Sequence, residues 1–119
     1  MSETITLTLP YPPSVNSYWR ANGHRRFISK QGQEFTMAVY GIVKEKKLEG
    51  FGDKRLGASI VIHPRSKRQF DLDNTLKAIL DALMKAGLYD DDSQFDYIEI
   101  VRGEPIKGGA ATIDLYENL

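Results

Sequence analysis

FDLDNTLKAILDALMKAGLYDDDSQ, residues 70–94, is the stretch that decides how this chain folds. Leu76, Ile79, Leu80, Leu83 and Met84 recur in it at helical spacing, so they predict an amphipathic helix with one apolar stripe. Gly87 is a natural residue to end that helix. Asp71 and Asp73 stand at the mouth of the helix, Lys77 sits near its start, and Asp90-Asp91-Asp92 follows its end. A basic run, Arg65-Ser66-Lys67-Arg68, lies immediately upstream. Carboxylates converging beside cations suggest a metal ion acting on a phosphate.

Asp71 and Asp73 lie two apart in what should be extended chain entering a helix, a spacing that points both side chains to one side. Lys77, four residues beyond Asp73, rises on the same helical face. A hard cation such as magnesium takes oxygen ligands and keeps several waters, so two or three carboxylates plus a substrate phosphate suffice. Asp92 supplies the remaining ligand if the acidic loop folds back toward the helix start. A helix of about 13 residues is roughly 20 Å long, so the alternative is a ligand from a neighbouring subunit. Plainer readings compete: Asp73 or Asn74 as helix cap, and the three consecutive aspartates as a solvated loop. An EF-hand counted from Asp71 needs Gly and Glu where Leu76 and Ala82 stand, and one counted from Asp90 meets Phe95 at its sixth position. Asp71-Leu72-Asp73-Asn74-Thr75 also matches the D-x-D-x-T string of haloacid-dehalogenase-type phosphatases. Those place it after an apolar strand, whereas Arg68-Gln69-Phe70 precedes it here.

Outward from this centre, Thr4 to Leu9 alternates as a half-buried strand, and Pro10, Pro12 and Pro13 end it. Arg20, Arg25 and Arg26 flank Asn22-Gly23, a hairpin signal; interleaved with Tyr18, Trp19 and Phe27 they suit phosphate contact and base stacking. The competing reading, preferred for Trp19, packs the aromatics on the core. Ser29 caps a first helix running to about Lys47, with Phe35, Met37, Val39, Ile42 and Val43 as its apolar positions. Ala58–Ile62 reads as a strand closed by His63-Pro64; further strands follow near Tyr97–Arg102 and Ala111–Tyr116. His24 and His63 have no partner at metal-ligand spacing and read as ordinary residues. The order predicts an α+β fold: one small domain, residues 1–119, with a mixed sheet packed against two main helices.

Composition sets the outer limits. The 119 residues include no cysteine, which excludes disulfides and thiolate chemistry and suits a reducing cytoplasm. The start of the chain lacks the pattern of a signal peptide, and no apolar run approaches the ~20 residues of a membrane span. A soluble, cytoplasmic protein is expected. Net charge is zero, yet residues 17–68 hold 12 Lys/Arg against 4 Asp/Glu, and residues 69–119 hold 4 against 11. That asymmetry fits a basic surface for a polyanion beside an acidic pocket for a metal, unless the two halves interleave and cancel.

Several blocks resemble, in order, the RusA family of Holliday junction resolvases, small phage- and prophage-associated endonucleases. Leu9-Pro10-Tyr11-Pro12-Pro13-Ser14 with Asn16 is similar to its L-P-x-P-P-S-x-N block, and Asp71-Leu72-Asp73-Asn74 with Lys77 to its D-x-D-N-x-x-K centre. Asp81-Ala82-Leu83, Lys85-Ala86-Gly87 and Asp91-Asp92-Ser93-Gln94 resemble its D-A-L-x-K-A-G…D-D-x-Q segment, and Lys107-Gly108-Gly109 its final turn. The resemblance implies a homodimer that binds four-way DNA junctions and cuts two strands symmetrically with magnesium, and that needs no small-molecule cofactor. It implies Asp71, Asp73 and Asp92 as the catalytic, metal-binding carboxylates and Lys77 as the essential lysine. Asp91 is the other member of its acidic pair, and Asp90 has no counterpart. Phosphate contacts are expected from Arg20, Arg25, Arg26, Arg65, Lys67, Arg68 and Lys77. Two other readings stay open: a protein that holds branched DNA without cutting it, and a less selective metal-dependent DNase.

Overall fold

Period-two alternation in three segments, with a fourth strand at the edge, builds a mixed sheet with one apolar face. In a computed structural model of the chain, residues 4–119 are described, the side chains of Arg20, Asn22, Arg25 and Arg26 excepted. The elements run β1 (Thr4–Leu9), α1 (Val15–Tyr18), β2 (Trp19–Asn22), β3 (Arg25–Ile28), α2 (Lys30–Glu45), β4 (Leu56–His63), α3 (Asp73–Lys85), a 3-10 turn (Asp92–Gln94), β5 (Phe95–Arg102) and β6 (Ala110–Glu117). The sheet order is β1-β6-β4-β5. β6 is antiparallel to both neighbours, and β4 and β5 are parallel, joined through α3. The chain is thus an α+β fold with a mixed sheet and three helices: the two main ones expected, α2 and α3, and the short α1.

Leu7, Leu9, Ile60, Ile62, Ile113 and Leu115 point inward from the sheet and are buried against the helices. From α3, Ala78, Ile79, Ala82 and Leu83 meet them; from α2, Phe35, Val39 and Val43 do so at intervals of four. Met37, expected among the apolar positions of α2, instead faces solvent at 73% exposure, because it falls off that four-residue row. Ser29 caps α2 as expected, its Oγ accepting from Gly32 N at 3.0 Å. Gly87 follows α3 at φ +92, a conformation that favours glycine.

The segment after the prolines holds a helical turn that its mixed composition hides. Ser14 Oγ accepts from Ser17 N at 3.2 Å, and the turn drives Tyr18 fully into the interior. Tyr18 therefore offers no stacking surface to a base, and Trp19 lies partly buried, edge-on to Tyr18 at 5.1 Å. Of the three aromatics only Phe27 stays open. The hairpin forms, with Asn22 opposite Arg25, so its loop is Gly23-His24, one residue beyond the expected Asn22-Gly23 turn. Among the described residues no helix is long and apolar enough to cross a membrane.

Candidate active site

Because β4 and β5 are parallel, their carboxyl ends lie at the same end of the sheet, the side on which open α/β sheets place ligands. The loop leaving β4 carries Arg65, Ser66, Lys67, Arg68 and Gln69, all exposed, and delivers Phe70 and Asp71 to the start of α3. An open cleft of about 560 Å³ forms there, lined by Tyr11, Ser14, Asp71, Asn74, Thr75 and Arg102 among others. Tyr11 anchors its wall: the Arg65 guanidinium lies 4.7 Å over the Tyr11 ring, and Phe70 meets that ring edge-on at 6.4 Å. Gly109 lets the final turn pass this close, since a Cβ there would come within 2.7 Å of the Tyr11 ring.

The two aspartates do not leave an extended chain. Leu72 already has helical angles (φ −58, ψ −42) and is the cap position, with no side-chain cap bond; Asp73 is the first helical residue. The alternation argument for their shared direction therefore fails, and neither Asp73 nor Asn74 caps the helix. The amides of Asn74 and Thr75 bond instead to the carbonyls of Asp71 and Leu72. Asp71 accepts a long bond from Asn74 Nδ2 at 3.3 Å, and the Asp73 carboxylate has no hydrogen bond or ion pair among the described residues. Both carboxylates are exposed. Asp73 in the first turn suits the positive end of the helix dipole.

The acidic loop does fold back. Lys77 Nζ donates to Asp92 Oδ2 at 3.0 Å, within one chain. With the two side chains 48% and 33% exposed, such a pair contributes only about 0–1 kcal/mol, so stability does not account for it. The neighbouring acids have separate duties. Asp91 caps the 3-10 turn, and bonds from the side chain and backbone of Ser93 hold its carboxyl below the usual carboxylate range. Asp90 is exposed, its amide donating to Gln94 Oε1.

Gln94, overlooked from sequence except as a motif letter, is the clasp of this loop. It is buried, its Oε1 accepts from the amides of Asp90 and Asp91 at 2.8 Å, and its Nε2 donates to the carbonyls of Gly52 and Lys54 at 2.9 and 2.8 Å. Replacing Gln94 with alanine removes four bonds that tie this loop to Gly52 and Lys54; water can reach the freed groups on these exposed residues, so the cost is about 1–2 kcal/mol, and the loop's hold on Asp92 beside Lys77 is loosened. Thermal melts and the loop's amide exchange check this; unchanged protection of Ser93 and Gln94 amides would contradict it.

Among the described residues, no three acidic or histidine side chains stand together as a group that holds a metal unaided. The donors nonetheless suit a hard cation: all are carboxylate oxygens, Asp71 and Asp73 are exposed and Asp92 is half-buried, and Asp71 lines a cleft open to substrate oxygen and water. Of the expected phosphate contacts, Arg65, Lys67 and Arg68 lie on the cleft-side loop and Lys77 on α3. Arg20, Arg25 and Arg26 sit on the β2–β3 hairpin, and their side chains lie outside the described residues.

The family model for Endodeoxyribonuclease RusA matches residues 10–114. The chain belongs to the RusA family. A crossover junction endodeoxyribonuclease rusA of Enterobacteria phage HK97 is 42% identical over 109 residues, covering 92% of this chain and 91% of its own. RusA proteins of Shigella sonnei and Escherichia coli K12 are 38% and 37% identical over 114 residues, covering 96% of this chain and 95% of theirs. The RusA match takes in the cleft, the acidic loop and the basic tract together.

Proposed function

We propose that this chain is a crossover junction endodeoxyribonuclease, hydrolysing phosphodiester bonds in four-way DNA with magnesium. In this reading it works in the cytoplasm as a homodimer, with one nuclease domain over residues 1–119 and no organic cofactor. The observation that carries the reading is the Lys77–Asp92 ion pair. It returns the distant acidic loop to the flank of the helix that Asp71 and Asp73 open, in a chain whose relatives are named for junction cleavage.

Asp71, Asp73 and Asp92 would hold the ion together with substrate phosphate and water. When bound there, magnesium would supply Lewis-acid chemistry, offsetting negative charge at the phosphate and making water a better nucleophile. Lys77 turns from Asp92 to the scissile phosphate, where its ammonium stabilises the added negative charge. Arg65, Lys67 and Arg68 grip flanking phosphates, and further phosphate contacts are assigned to Arg20, Arg25 and Arg26. Such contacts fix position and carry no sequence information, so discrimination falls on branched shape. Paired cuts need paired sites, which a two-fold dimer supplies.

The test is a synthetic four-way junction incubated with the protein in magnesium or in chelator. Cutting in magnesium alone, with binding in both, is the expected result. Cutting in chelator would overturn the metal assignment, and binding without any cutting would favour a junction-holding protein.

A further inference from the structure

Arg102 is the last residue of β5, in register with Ile62 of β4, and the next amide, Gly103 N, donates to Ile62 O at 2.8 Å. Its main chain is therefore fixed by the sheet. The side chain crosses to the loop before α3, where Nη2 donates to the Phe70 carbonyl at 2.8 Å and the guanidinium lies 4.6 Å over the Phe70 ring. Phe70 immediately precedes Asp71, in a stretch without regular structure. Arg102 and Asp71 line the same cleft. A planar cation that bonds a carbonyl and covers a ring at once holds a backbone segment in direction as well as in place.

We propose that Arg102 is a positioning residue for Asp71: by clamping both the carbonyl and the ring of Phe70 to the end of β5, it fixes the bend that presents the Asp71 carboxylate to the cleft. The inference rests on the reading of Asp71 as a metal ligand. It has a sign that separates it from plain electrostatics. Arg102 is a cation beside a cation site, so its charge alone disfavours the ion, and removing it would tighten metal binding. A positioning role requires the reverse.

The experiment titrates manganese(II) into the DNA-free full chain by calorimetry, for wild type, Asp71→Asn, Arg102→Ala, Arg102→Lys and Lys44→Ala. Lys44, on the far end of α2, controls for net charge. Arg102→Ala is expected to bind manganese roughly 10–100-fold more weakly, the range for groups that orient a ligand. Arg102→Lys keeps the charge but loses the flat contact with the ring, and is weakened several-fold. It also serves if the alanine variant folds poorly, with melting curves recorded for each. Unchanged or tighter binding in both Arg102 variants, with Asp71→Asn weakened, overturns the role of Arg102 alone. Equal binding by wild type and Asp71→Asn overturns the ligand assignment and this inference together.

Discussion

Asp73→Asn stops junction cutting while leaving the protein folded and bound to DNA. Asparagine matches the shape of aspartate but removes the charge that a magnesium ion requires. The Asp73 carboxylate makes no hydrogen bond or ion pair among the described residues and supplies no cap to α3, so the substitution breaks no side-chain contact there. Losing a ligand that contributes several kcal/mol of transition-state stabilisation lowers the cleavage rate by about 10³-fold, since each factor of ten is about 1.4 kcal/mol. Binding is kept or tightened, because one negative charge facing the phosphates is gone. Single-turnover cleavage and gel-shift affinity on the same junction check both halves. A rate within threefold of wild type would remove Asp73 from the mechanism.

Asp81→Ala produces the largest change in stability. Asp81 lies on the buried side of α3, where its carboxylate accepts a hydrogen bond from the Tyr18 hydroxyl and pairs with Lys85 Nζ at 3.1 Å. Tyr18 is wholly enclosed, and burial followed by the bond to Asp81 pushes its phenol well above the usual range. One carboxylate thus ties α1 to α3, while Thr36 Oγ1, 3.3 Å from the Tyr18 oxygen, brings in α2. Truncation removes a bond to a charged acceptor and leaves the phenol only its long contact with Thr36. The expected loss is roughly 3 kcal/mol, a fall of about 10 °C in melting temperature for a chain this size. Tyr18→Phe, which removes the hydroxyl but keeps the ring, costs about 1 kcal/mol. Thermal and urea unfolding measure these; a loss under 0.5 kcal/mol for Asp81→Ala would contradict the account.

Hydropathy period carried most of the fold into view. The alternation in Thr4–Leu9 and the stripe from Leu76 to Leu83 each bury one face, and such faces leave a mark every two or three to four residues. Ser29 and Gly87 were legible because caps are local chemistry. The turn Val15–Tyr18 was not, since four residues are too short for a period, and prolines on one side and a hairpin on the other masked it. Asp81 was invisible as a core residue: its burial depends on a tyrosine 63 positions away. In the candidate site, Asp71, Asp73, Lys77 and Asp92 drew attention through charge and spacing. The local backbone at Leu72 could not be read, because one residue entering the helix early redirects both carboxylates. Gln94 and Arg102 act through partners 32 to 42 positions distant, and only pairing in space reveals them. Arg102 left one faint sign, a charge in the period-two row of Ile98 and Ile100.

The most direct measurement is a time course of wild-type protein in magnesium on a four-way junction labelled on every strand, beside a linear duplex of the same arm sequences. Paired nicks on two opposed strands of the junction are expected, with the duplex left intact. Equal cutting of the duplex, or a junction bound and never nicked, would contradict it.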